Sequence, residues 1–136
     1  MRPDHLSQLW SLYATTRFRG GQPQAWRGDF HIITACNPAG QLLAAGANRI
    51  RDGQLEAQLI QLALPARLLW AGSPDFRHEE RSWALWCEQP EALRLGRQFG
   101  QNAIFSVKGG QLWLVPCLLP APPHHLGPFA ARWGQG

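Results

Sequence analysis

The sequence predicts an α+β domain built as a split βαββαβ unit, with two helices packed on one face of an antiparallel sheet. Three observations carry this expectation. Segments of strand length alternate with amphipathic stretches in the order strand, helix, strand, strand, helix, strand. Turn-forming residues separate the strands expected to pair. The 136 residues are 45% hydrophobic and only 16% charged, enough apolar content to bury a single core without metal or disulfide.

Taken in order, Asp4 is placed to cap a helix whose apolar face is Leu6, Leu9, Trp10 and Tyr13, ending before Gly20-Gly21. A loop through Pro23, Trp26 and Gly28 leads to a strand over Phe30 to Cys36, stopped by Asn37-Pro38. Leu55, Leu59 and Leu62 recur at helical spacing within Asn48 to Leu64, and Pro65 ends that helix. Gly53 inside it costs on the order of 1 kcal/mol relative to alanine. Arg67 to Ala71 and Ser82 to Cys87 read as a hairpin around Gly72-Ser73-Pro74-Asp75. Pro90 and Glu91 open the clearest helix, Ala92, Leu95, Gly96 and Phe99 form its buried stripe, and Gly100 closes it. Asn102 to Val107 and Gln111 to Val115 flank Lys108-Gly109-Gly110, a tight hairpin. The order is ferredoxin-like, with an extra N-terminal helix and an added C-terminal hairpin strand. Residues 1–116 are expected to form the domain, with core 30–116, and residues 117–136 a Pro/Gly-rich tail along the surface, pinned by Phe129 and Trp133.

The formal charge is +4 and the pI about 9.6, carried by scattered arginines with Lys108 as the only lysine. Such a balance reads as solvating charge more than as a nucleic-acid footprint. Cys36, Cys87 and Cys117 are odd in number and never spaced as Cys-x-x-Cys, so they read as reduced thiols in a cytoplasmic protein. Arg2 is followed by Pro3, Asp4 and His5 in place of a signal peptide's apolar run, and Leu112 to Leu119, broken by Pro116, is too short to span a bilayer.

Several segments resemble a bacterial family known as domain-of-unknown-function family 3293: Ile33-Thr34-Ala35-Cys36-Asn37-Pro38, the later Asn48 with Leu55, and Arg97-Gln98-Phe99-Gly100-Gln101-Asn102-Ala103-Ile104. Between them, Gly72, Ser73-Pro74-Asp75 and Glu79-Glu80-Arg81-Ser82-Trp83 are similar to that family's glycine turn and the acidic start of the next strand. The resemblance spans about Phe30 to Val115 and implies no activity, cofactor or catalytic residue.

Function must therefore be read from position. In a right-handed βαββαβ unit the first strand ends at the rim where the middle hairpin turns and the fourth strand begins. That rim is expected to gather Thr34, Asn37, Asn48, Ser82, Arg97, Gln98, Gln101 and Asn102 into a pocket for a small polar or phosphate-bearing ligand, with Glu79 or Glu80 as acid or base. The competing expectation is that these amides only cap helix ends and brace the turn. A Ser73, Asp75, His78 triad is disfavoured by crowding within one loop. A metal site from His31, His78, Cys36, Cys87 or His124-His125 lacks ligand spacing, and a Cys36 nucleophile lacks an adjacent base. A different class of function is an RNA- or protein-binding module whose helix-free sheet face displays some of Phe105, Trp83, Trp86 and Trp113. The amphipathic first helix or the tail would otherwise cover that face, and monomer and homodimer both remain open.

Overall fold

Seven short strands dominate the fold, and the central ones are buried on both faces. The computed structural model describes residues 11–20 and 26–134. The strands are β1 (Arg17–Arg19), β2 (Phe30–Ile33), β3 (Ala66–Gly72), β4 (Glu79–Leu85), β5 (Ala103–Lys108), β6 (Gln111–Pro116) and β7 (His124–Pro128). Helix α1 (Ala45–Gln61) joins β2 to β3, and α2 (Gln89–Gln98) joins β4 to β5. All lie in one sheet of order β1-β3-β4-β2-β5-β6-β7, with every neighbouring pair antiparallel. The two edges approach each other: Phe18 of β1 forms a parallel bridge with Trp133, and Gly134 N–H donates to Phe18 O at 2.6 Å. The sheet is therefore curled, with a concave face and a helix-covered face.

Side-chain alternation sorts the core between these faces. Phe30, Ile32, Leu69, Ala84, Phe105 and Leu114 point into the concavity, where Phe18, Trp26 and Phe129 close over them. Ile33, Trp83, Leu85, Ile104 and Val115 point the other way, against Leu55 and Leu59 of α1 and Ala92 and Leu95 of α2. Burial of these leucines, worth roughly 1.5–3 kcal/mol each, holds the helices down. Gly53 sits on the exposed side of α1, where its missing Cβ faces open space.

Several expectations are corrected. The expected first helix rests mostly on residues 1–10, outside the described residues; 11–14 are helical, but Arg17–Arg19 leaves the helix and pairs with β3. The first core strand stops at Ile33, because Thr34 Oγ donates to Arg81 O and the chain then turns at Asn37 with φ 48°. The tail does not only lie along the surface. His124–Pro128 adds an outer strand beside β6 across a register shift at Leu112/Trp113, and Pro128 is tolerated because an edge strand needs only one row of hydrogen bonds. Phe129 enters the concave core and Trp133 packs against it. Only some of the four aromatic candidates fall on the helix-free face. Trp83 and Trp113 lie on the helix side, whereas Phe105 and Trp86 belong to the concave side, where Phe105 is buried beneath Phe18 and Tyr13.

Candidate functional site

The parity that buries Ile32, Leu69, Ala84 and Phe105 continues to the end of the curl, where it presents Thr34, Ala71, Ser82, Glu80 and Ala103 to the same interior. These residues line a cavity of about 200 Å³ at the mouth of the concave face. Leu12, Tyr13 and Leu42 stand at its outer wall, and Asn37 and Gln101 close one side. A second, wider concavity of about 600 Å³ lies across β4 on the helix side, between Trp70, Glu79 and Arg81 of the sheet and Asn48, Asp52 and Glu56 of α1. Asn37 and Glu80 line both, so this pair is the partition between them.

Local structure explains how the partition is held. Asn37 adopts a left-handed backbone conformation that its short polar side chain tolerates better than a branched one would. Its Oδ1 accepts from Leu43 N–H and from Asn48 Nδ2, each at 2.9 Å, while Asn37 N–H donates to Asn48 Oδ1 at 2.9 Å. Its remaining amide donor, Nδ2, reaches Glu80 Oε2 at 2.7 Å. Asn48 is thus spent tying the first turn of α1 to the loop after β2.

The approach from α2 follows from Gly100. With φ 71° it sits just past the helix end, where Gly100 N–H donates to Arg97 O and Gln101 N–H to Gly96 O, the paired bonds of a Schellman stop. The chain is thereby turned so that Gln101 is buried and its Nε2 donates to Cys36 O at 3.1 Å and Phe99 O at 3.2 Å. Arg51 of α1 completes this brace by donating to Ala35 O and Phe99 O, and Ala39 N–H donates to Gly100 O. Asn102 is buried beside it; its backbone carbonyl accepts from Cys117 N–H, and its side chain shares a hydrogen bond with the Tyr13 phenol.

Electrostatics single out Glu80. Burial raises its carboxyl above the ordinary value of 4.5, and the hydrogen bond from Asn37 opposes this only in part. The Tyr13 phenol is likewise raised by burial, against the Asn102 hydrogen bond. The Cys36 thiol, buried behind the loop, is also raised by burial, which keeps it a thiol and a poor nucleophile.

The remaining sequence candidates fall elsewhere. Glu79 points across the β1 edge, where Arg19 donates to both of its carboxylate oxygens at 2.9 and 2.6 Å. Gln98 exchanges hydrogen bonds with Gln58 on the outer surface of the two helices, and Arg97 is exposed in the last turn of α2. Ser73 donates to Asp75 and accepts from His78 N–H, building the β3–β4 turn. His31 is buried at the other end of β2 against Ser106, with its imidazole lowered first by burial and then by Lys108. Among the described residues, no three His, Cys, Asp or Glu side chains gather as metal ligands, and no helix is long and apolar enough to cross a membrane.

Residue-by-residue reading missed Tyr13 as a cavity residue and Asp52 altogether. Asp52 is 6% exposed; its Oδ1 accepts from Trp83 Nε1 at 2.9 Å, and Arg81 Nε lies 2.9 Å from Oδ2. Its signal was present: Asp52 falls four residues after Asn48 and three before Leu55, an acid in register with the buried stripe of α1.

Comparison with known families decides the relationship. The DUF3293 family, described as a protein of unknown function, matches residues 33–104, more than half of the chain. The chain belongs to this family. The DUF3293 match takes in Thr34, Asn37, Glu80, Ser82 and Gln101 of the cavity, and Asn48 and Asn102 beside it, while the cavity residues Tyr13 and Phe105 lie outside. A search of curated proteins finds no match to the chain, and neither does a search of solved structures.

Proposed function

We propose that the cavity at the mouth of the curled sheet binds a small polar ligand, with Glu80 as the group that exchanges a proton or charge with it. The observation that carries this reading is the half-buried Glu80 carboxyl, held at 2.7 Å by Asn37 in a recess that combines apolar walls with a few polar side chains. A carboxylate for solubility alone gains nothing from such burial, whereas concave apolar sites with a few convergent polar groups are the usual form of ligand pockets. Asn37, Ser82, Gln101 and Asn102 are the supporting polar residues. Arg97, Gln98 and Glu79 take no part in it, so the phosphate-bearing form of the ligand loses the arginine that recommended it.

The four strands β3-β4-β2-β5, with α1 and α2 in their connections, support a split βαββαβ reading of the scaffold, and we take the protein as cytoplasmic on its cysteine usage. An aromatic RNA- or protein-binding face draws no support from Trp83 and Trp113, which lie against the helices. A fragment screen by ligand-observed NMR on the full chain tests the reading. Compounds that bind wild type and lose binding in Ser82→Val and Glu80→Gln support it; compounds that bind both variants as well as wild type, or no binding at all, overturn it.

A further inference from the structure

The side chains lining the cavity divide unevenly between donors and acceptors. Thr34 Oγ is committed as a donor to Arg81 O at 2.8 Å, Ser82 Oγ to Glu80 O at 3.1 Å, and Gln101 Nε2 to two carbonyls. Asn37 Nδ2 is directed at Glu80. With the Tyr13 phenol engaged by Asn102, what is left over among the described residues is acceptor capacity: Glu80 is bonded through Oε2 and Gln101 through Nε2, which leaves Glu80 Oε1 and Gln101 Oε1 to accept. Among the described residues, no lysine, arginine or histidine lines this cavity. The rest of its wall is apolar, and two leucines at the mouth, Leu12 at 69% and Leu42 at 84% exposure, extend that surface outward.

Resting on the ligand-site reading above, we propose that the ligand is a small primary amine carrying a short apolar substituent. The ammonium group donates to Glu80 Oε1 and Gln101 Oε1, and the substituent lies along Phe105, Ala71 and Leu42. A half-buried carboxylate is best compensated by an opposite charge that also hydrogen-bonds it, whereas an anionic ligand would meet Glu80 as a like charge with no cation among the described lining residues to offset it. The cavity of about 200 Å³ limits the ligand to a few carbon atoms inside the mouth.

The test is calorimetric titration of the full-length protein above neutral pH with isobutylammonium, methylammonium, isobutyramide, isobutyrate and inorganic phosphate. Isobutylammonium is expected to bind, methylammonium about tenfold more weakly for want of apolar contact, and isobutyrate and phosphate not at all. Glu80→Gln, a substitution of nearly equal size, is expected to weaken isobutylammonium about tenfold or more. Leu42→Ala, at an exposed position that leaves folding alone, is expected to weaken isobutylammonium but not methylammonium. Binding of isobutyrate, phosphate or isobutyramide as tight as that of the amine, and sensitive to Ser82→Val, would overturn the amine assignment while leaving the site in place. Failure of all five compounds would remove both.

Discussion

Asn37 donates its side-chain N–H to Glu80 at 2.7 Å while its carbonyl oxygen holds Leu43 N–H and Asn48 Nδ2, so a single amide joins the loop after β2, the first turn of α1 and the start of β4. Among the described residues, no other side chain of the site hydrogen-bonds to all three elements. The relationship makes the cavity wall and the helix placement one problem, because any change at Asn37 moves both.

Removing this amide should cost stability as well as geometry. Asn37→Ala leaves Leu43 N–H and the Asn48 amide without their partner and Glu80 without its donor, and we expect a loss of roughly 2–4 kcal/mol by urea denaturation, since each stranded buried group costs about 1–3 kcal/mol. Asn48→Ala, which strands fewer groups, should cost less. Equal losses would show that the loop is held by something other than Asn37.

Glu80 should leave a mark on the pH dependence of stability. Its carboxyl is raised by burial, so the folded protein keeps the proton to higher pH than the unfolded chain does. The stabilisation this provides is complete below the unfolded value and is lost as pH rises through the folded one. Glu80→Gln cannot titrate, so its stability should fall less than wild type as pH rises from 4.5 through the raised value, and the variant should be the more stable of the two above that window. Parallel wild-type and variant curves from thermal denaturation at stepped pH would contradict this.

Asp52 and Trp83 should behave as a coupled pair. Asp52→Ala strands Trp83 Nε1 inside the α1 interface and leaves Arg81 without its carboxylate, and should cost about 2–4 kcal/mol. Trp83→Phe removes the donor and leaves the acid. A double-mutant cycle is expected to return a coupling of about 0.5–3 kcal/mol; a value near zero would mean that the 2.9 Å bond contributes nothing.

The same substitution should have opposite signs on the two helices. At Gly53 a new Cβ meets nothing within 4 Å, and alanine should stabilise by about 0.5–1 kcal/mol through helix propensity. At Gly96 a Cβ would stand 2.7 Å from Cys117 Sγ and 2.8 Å from Ile104 Cγ2, so overpacking of about 1–3 kcal/mol should exceed the propensity gain. Cys117→Ala should recover part of the Gly96→Ala loss. Equilibrium unfolding of the single and paired variants checks both signs.

How much of this was legible beforehand depends on whether the signal is local. Helix α2 was readable in full, because Pro90 and Glu91 start it, Ala92, Leu95 and Phe99 give it one face, and Gly100 stops it, all within neighbouring turns. The β5–β6 hairpin was readable too, since Gly109 and Gly110 with φ 55° and 76° satisfy a two-residue turn that few other residues permit. Strand and helix order alone led to the expectation of one polar rim; the hydrogen bonds link Asn37 with Asn48 and Glu80, whereas Arg97 and Gln98 of the same expected set lie on the outer helix surface.

What composition and periodicity could not contain is the choice of face and the closing of the edges. Alternation says that Trp83 and Phe105 have definite sides, but the curl of the sheet and the packing of the helices decide which side each one is on. Gln98, in the last turn of α2, meets Gln58 at the surface, whereas the left-handed turn at Gly100 brings Gln101 inward. Strands β1 and β7 have almost no strand character of their own and exist because long-range neighbours, β3 and β6, offer them hydrogen bonds. Local preference in this chain settled the separate elements, and only the pairing of distant backbone groups around one concave core settled where the polar side chains meet.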